Sequence, residues 1–188
     1  MEYAKGAHLS AINNLRESLD MSRRELGANH PEVGARASSL AYWLTEEGKY
    51  DEAALLVDEA LAIRRKALGP EHPQVGGTLT VKANLMLATQ HYEDARALAA
   101  EAHRILSASL PADSWQVAAA MNVEGAAQVA LGHFEQAEPL LVDSLAALGR
   151  APIPGLETRG KQRLVELYEA WGKPEQAKKA RLALASPK

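Results

Sequence analysis

Cysteine is absent from all 188 residues, which removes disulfide frameworks, thiolate metal sites and cysteine nucleophiles at once. Aromatic residues make up only 5% of the chain, with a single Phe, and long β-branched runs are missing, so strands are not expected. No apolar run reaches the roughly 18 residues of a membrane-spanning helix, and nothing resembles a signal peptide. A cytoplasmic location is the resulting expectation. An excess of one charge is lacking too: the formal net charge is −3, too small and too mixed in sign to motivate a nucleic-acid or membrane surface. What is plentiful is Ala and Leu, a composition suited to helices that pack closely through small residues.

The chain also repeats itself. "LGANHPEV" at Leu26–Val33 and "LGPEHPQV" at Leu68–Val75 stand 42 residues apart (69 − 27 for the glycines), and a fixed period of this size is the mark of a stacked array. A further 42 residues gives the degenerate copy at Pro111–Val117. A second anchor keeps the same period: "EEGKYDEA" (46–53), "ATQHYEDA" (88–95) and "ALGHFEQA" (130–137), then, after a two-residue deletion, "AWGKPEQA" (170–177). The period makes residues 1–188 one quasi-linear array: a partial repeat over 1–26 ending in a B helix, repeats over 27–68, 69–110 and 111–150, and a shortened capping repeat over 151–188. A leading helix is expected over about residues 5 to 26, with Met1 to Lys5 matching the last turn of an A helix and Gly6 matching the turn glycine Gly48.

Within a unit, Pro31 or Pro73 suits the first helical position, where its missing N–H is not needed, and the preceding His30 or His72 suits an extended backbone. Val33, Ala37, Leu40, Ala41 and Leu44 then recur at helical spacing up to Gly48, giving helix A. After the turn at Gly48–Tyr50, Asp51 is expected as the N-cap of helix B, whose apolar stripe is Ala53, Leu56, Val57, Ala60, Leu61 and Ile63. Small residues mark the crossing of the two helices: Ala41, Ala83 and Gly125 in A, and Ala53, Ala95, Ala137 and Ala177 in B.

The small residue in A, the Gly before an aromatic (Gly48/Tyr50, Gly132/Phe134) and the Ala in B resemble the tetratricopeptide (TPR) consensus. The 42-residue period and the "LGxxHPxV" junction are similar to the kinesin-light-chain subtype. The resemblance implies an all-α fold, an α-solenoid of antiparallel helix pairs forming a TPR superhelix, with A helices lining a concave face. It also implies a non-catalytic protein- or peptide-binding scaffold within a larger regulatory protein, as such arrays occur in bacterial multidomain regulators. The alternative is a structural spacer or self-association module for an absent catalytic domain. If the family geometry applies, the inner face offers a peptide Ser38, Tyr42, Thr45, Thr80, Asn84, Asn122, Arg159, Gln162 and Glu166. A column of Ser38, Thr80, Asn122 and Gln162 would present hydroxyl and amide groups to an extended backbone.

Departures from the consensus carry expectations of their own. Gln90 replaces the turn glycine of the second unit. Lys82 and Glu124 replace the Leu40 position in successive units, and a partly buried ion pair between them is expected. The basic cluster of Arg159, Lys161, Arg163, Lys173, Lys178, Lys179 and Arg181 reads as the solvated face of a capping helix, or as a face for an acidic partner. The uncovered first B helix suggests a possible homodimer.

Sharper chemistry finds little to act through. "GLETRGKQ" (155–162) fits G-x-x-x-x-G-K but ends in Gln where a phosphate loop needs a hydroxyl for magnesium, and no strand precedes it. The six histidines fall mostly at equivalent repeat positions, His30 with His72 and His91 with His133, so no metal site is expected. No G-x-S-x-G elbow is present. Catalysis, a metal and a cofactor are therefore not expected.

Overall fold

The computed structural model describes residues 2–153 and 155–185, with side chains from Ser10 onward. Expectations that rest on Met1, on Pro154 or on the last three residues lie outside the described residues. Among these the chain is a succession of helices with no strand: α1 (Glu2–Leu26), α2 (Pro31–Glu46), α3 (Tyr50–Leu68), α4 (Pro73–Ala88), α5 (Tyr92–Ser109), α6 (Trp115–Ala130), α7 (Phe134–Leu148), α8 (Leu156–Ala170) and α9 (Pro174–Ala185). The even-numbered helices up to α8 are A helices, and the odd-numbered ones are B helices.

Helix starts follow the local chemistry of the repeat. His30 and His72 are extended (ψ 138° in both) and their rings accept the backbone N–H two residues on, from Glu32 and Gln74, at 3.2 Å. The histidines are thus helix caps, and the prolines behind them need no partner. In the third unit Ser114 does the same for Val117, at 3.3 Å. Two expectations about ends are corrected. The N-cap of α3 is Lys49 and not Asp51, because Gly48 (φ +73°) returns the chain so that Lys49 N–H reaches Leu44 O at 2.8 Å and Lys49 C=O already accepts from Ala53. Asp51 lies in the first turn, where its charge meets the helix dipole. At the other correction, α1 runs unbroken through Gly6 from Glu2: four residues are too few to form a helix of their own and simply extend the one that follows.

Two layers result. Successive A helices pack directly on one another (α2 on α4, α4 on α6, α6 on α8), and each B helix packs against the A helices on either side of it. Successive B helices are instead spanned by long side chains, Arg16–Glu52 and Arg23–Glu59 at 2.7 Å and Arg65–Glu101 at 3.2 Å. Direct contact on one side and contact by extended arms on the other means the A layer follows the shorter arc, so the A helices face inward on the curve. The core between the layers is built from fully buried Leu44, Val57, Leu79, Ile105, Leu106, Leu141 and Leu167, with Ala41, Ala53, Ala83, Ala95 and Ala137 at the crossings.

The expected Lys82–Glu124 pair does not form. Lys82 reaches Asp58 of α3 at 2.7 Å, and Glu124 meets His103 of α5 at 3.1 Å. This position of an A helix faces the B helix that precedes it, so neighbouring units cannot join these side chains to each other.

Candidate functional site

The inner face holds a cavity of about 380 Å³. Its walls come from three A helices: Ser38, Ser39, Tyr42 and Trp43 on α2, Gly77, Thr80, Val81 and Asn84 on α4, and Trp115, Gln116, Ala119, Asn122 and Val123 on α6. The far wall is the segment before α8 and the helix itself, through Pro152, Ile153, Leu156, Arg159 and Arg163. The lining is aromatic and aliphatic in area, with a few polar groups converging at one end, the composition expected of a ligand pocket.

Those polar groups form a wall across the curve. Arg163 donates from Nη1 to Asn122 Oδ1 at 2.9 Å and from Nη2 to Asn84 Oδ1 at 2.8 Å. Asn122 is held in turn by donating to Ser144 Oγ at 3.1 Å. Arg159 pairs with Glu46 of α2, 113 residues away in sequence, and lies 5.8 Å from the centre of the Tyr42 ring. On the other side of this wall a shallower depression is lined by Thr45, Glu46, Asn84, Leu87 and Ala88, again with Arg159 and Arg163. The last A helix therefore closes onto the first, and the two arginines divide the inner face into a larger and a smaller chamber.

Electrostatics follow from burial. Arg163 is only 9% exposed. That burial first, and then the charge of Arg159, push its guanidinium from 12.5 down to about 10, against the opposing pull of Glu166 and Glu46. Tyr42 is raised above the ordinary phenol value, chiefly by burial, with Arg159 acting the other way.

Of the residues singled out from the sequence, Ser38, Tyr42, Thr80, Asn84, Asn122 and Arg159 line the larger chamber. Thr45 lies in the smaller one, and its hydroxyl is spent on Ala41 O at 2.9 Å. Thr80 Oγ1 likewise donates to Gly76 O at 3.1 Å. Gln162 and Glu166 are exposed on α8 and line neither chamber. The residue that enters instead is Arg163, read from the sequence as part of a solvated basic cluster. The polar column thus runs Ser38, Thr80, Asn122 and then Arg163, because α8 begins at Leu156, 41 residues after the start of α6 (156 − 115) where the earlier A helices are 42 apart, with Gly155 as its cap. Trp43 and Trp115 were also missed: Trp115 opens α6, Trp43 lies near the end of α2, and neither falls on the polar column.

The G-x-x-x-x-G-K stretch has a packing explanation. Gly160 and Lys161 lie within α8, and a Cβ on Gly160 would stand 2.8 Å from Leu148 Cδ1. Lys161 pairs with Glu157 at 3.2 Å. Neither is available to cradle a phosphate. No group of three His, Asp or Glu side chains suited to a metal occurs among the described residues, and none of their helices is long and apolar enough to cross a membrane.

Comparison with known proteins agrees with this architecture. Residues 1–32 and 33–74 match the family model described as Tetratricopeptide repeat. No curated protein matches the sequence. Among solved structures, the putative kinesin light chain nearly identical TPR-like repeats of Podosopora anserina superpose with a TM-score of 0.68 at 21% identity, over 96% of this chain and 87% of that one. A single-substitution variant of that protein gives 0.69, at 21% identity over 96% and 86%. BtubC (BKLC) from P. vanneervenii gives 0.70, at 21% identity over 99% of this chain and 78% of its own. With the tetratricopeptide-repeat model matched over residues 1–74 and the same helical pair recurring to α9, the chain has the fold of the kinesin-light-chain-like tetratricopeptide-repeat structures.

Proposed function

We propose that the chain is a non-catalytic scaffold that binds a protein or peptide partner on the face lined by its A helices. The observation that supports this most is the larger chamber, where Trp43, Trp115 and Tyr42 offer apolar contact area beside the polar ends of Ser39, Thr80 and Asn84. Aromatic anchors with a few fixed polar groups are what a recognition surface uses to gain affinity and orientation together. Tetratricopeptide arrays in general bind protein partners, which agrees with this reading. Cytoplasmic location and incorporation in a larger regulatory protein belong to the same proposal.

A displayed peptide library selected on the purified chain tests it. Binders are expected whose affinity falls about tenfold or more, roughly 1.4 kcal/mol, in Ser39→Arg, a substitution at an exposed position on the chamber rim. A library yielding no binder, or binders indifferent to Ser39→Arg, would overturn the assignment to this face.

A further inference from the structure

The Arg163 guanidinium is the most unusual charge in the molecule. It is nine-tenths buried, yet both of its hydrogen-bond acceptors are neutral amides, Asn122 and Asn84. None of the ion pairs among the described residues includes it, whereas Arg159 beside it is already matched by Glu46. The wall therefore carries two positive charges against one carboxylate in contact. Glu166, one turn along α8 and exposed, and Glu46, held by Arg159, act on Arg163 only through space. A desolvated cation without an anion is costly, and the usual remedy is a carboxylate that takes the remaining donors. Guanidinium has five N–H donors, and two are used, so three remain for such a group.

The shape of the chamber limits what could bring it. A chain running the whole length of the inner face would meet the Arg159–Glu46 bridge and the Arg163 side chain across its path, so a peptide could enter the larger chamber only with a short stretch. Beyond them only the small depression at Leu87 and Ala88 continues. A compact molecule meets no such obstacle: about 380 Å³ lies within the range that small-molecule pockets span. Its remaining walls are Trp43, Val81, Trp115, Val123, Ile153 and Leu156, which have no charge.

We propose that the larger chamber is a binding site for a free, low-molecular-weight carboxylic acid with an apolar body, its carboxylate received by Arg163 and its body held between Trp43, Trp115 and Ile153. This ligand would occupy the chamber that the proposed protein partner also uses, so the two would compete for it, but the acid site stands on Arg163 whether or not a peptide binds.

The probe is 2-naphthylacetate, with 2-naphthylacetamide as its uncharged counterpart, each titrated into the full chain and followed by the three indole N–H signals in a nitrogen-resolved NMR spectrum. Trp43 and Trp115 line the chamber, while Trp171 stacks on Phe134 at 5.9 Å in a different place. The expected result is movement of the first two signals with the third unchanged, and acid binding about tenfold or more tighter than amide. Arg163→Gln is expected to remove that preference. Should this variant lose its helical circular dichroism, Ser39→Glu provides the second arm: a carboxylate on the rim weakens the acid at least about fivefold and leaves the amide alone. The proposal is overturned by unmoved Trp43 and Trp115 signals at millimolar acid, by equal affinity for acid and amide, or by a preference that survives in the folded variant. Because the peptide selection uses Ser39→Arg, which adds a positive charge, loss of peptide binding there is distinguishable from loss of the acid site.

Discussion

At Gln90 an ordinary side chain holds a backbone angle of φ 64°, in the left-handed region, where the equivalent turns carry Gly48, Gly132 and Gly172 at φ 73°, 79° and 70°. The turn requires it: Gln90 N–H reaches Leu87 O at 3.2 Å and His91 N–H reaches back to Met86 O at 2.8 Å, the same closure that Gly48 makes in the first unit. A Cβ in this region costs about 1–2 kcal/mol, and the Gln90 side chain is exposed, with no hydrogen bond of its own to offset it. Gln90→Gly is therefore expected to raise stability by about 1 kcal/mol, read as a higher urea midpoint with an unchanged slope. An unchanged or lower midpoint would show that the repeat turn is relaxed with either residue. The strain could be located from the sequence, because the repeat register puts Gln90 on a column of glycines. Arg163 could not be located that way: its partners Asn84 and Asn122 lie 79 and 41 residues back, and one row of letters cannot say which face of α8 turns inward.

Between elements, the small-residue columns act through distance of approach. At the α6–α7 crossing a Cβ on Gly125 would stand 2.8 Å from Leu141 Cγ and 2.9 Å from its Cδ2, and Leu141 is fully buried with nowhere to move. Gly125→Ala should cost about 1–3 kcal/mol by overpacking. Gly77, one helix earlier in the A layer, has nothing within 4 Å of the same added atom, so Gly77→Ala should gain up to about 1 kcal/mol from helix propensity alone. The paired measurement isolates the cause: similar effects in both variants would mean that propensity, and not helix approach, explains the glycine column. Element-level reading was sound for the His-Pro helix starts, though the equally local Asp51 N-cap moved to Lys49. It failed for Lys82 and Glu124 because equivalent positions in successive repeats share a direction, and here that direction points to the preceding B helix, where Asp58 and His103 wait.

Across the whole array, the Arg159–Glu46 pair is the longest-range ion pair among the described residues, joining α8 to α2 over 113 residues. Nearest-neighbour packing explains most of the stability of a solenoid, so this contact, with Arg163–Asn84, is an exception that ties the last A helix to earlier ones. Both side chains are about three-quarters buried, with 25% and 21% exposed, and an interaction there is screened less than a surface pair. A double-mutant cycle of Glu46→Gln and Arg159→Gln should return a coupling of about 0.5–3 kcal/mol in chemical denaturation. Strict additivity would show that the ends of the array unfold independently and that the wall across the inner face is only loosely held.

The sequence by itself determined the kind of structure. A 42-residue period, small residues on one stripe and helix caps at fixed offsets leave stacked helix pairs as the arrangement that buries every apolar stripe, because each unit must cover its face with the next. These are short-range causes, so their spacing can be read along the chain. What only the tertiary structure decided is where the inner face is divided and which residues divide it. The curve that brings Arg159 to Glu46 sums small rotations over four successive A helices, and the burial of Arg163 depends on the one-residue shift in where α8 begins. No local pattern records such a sum, because it arises from packing distances between helices rather than from the residues of any one of them.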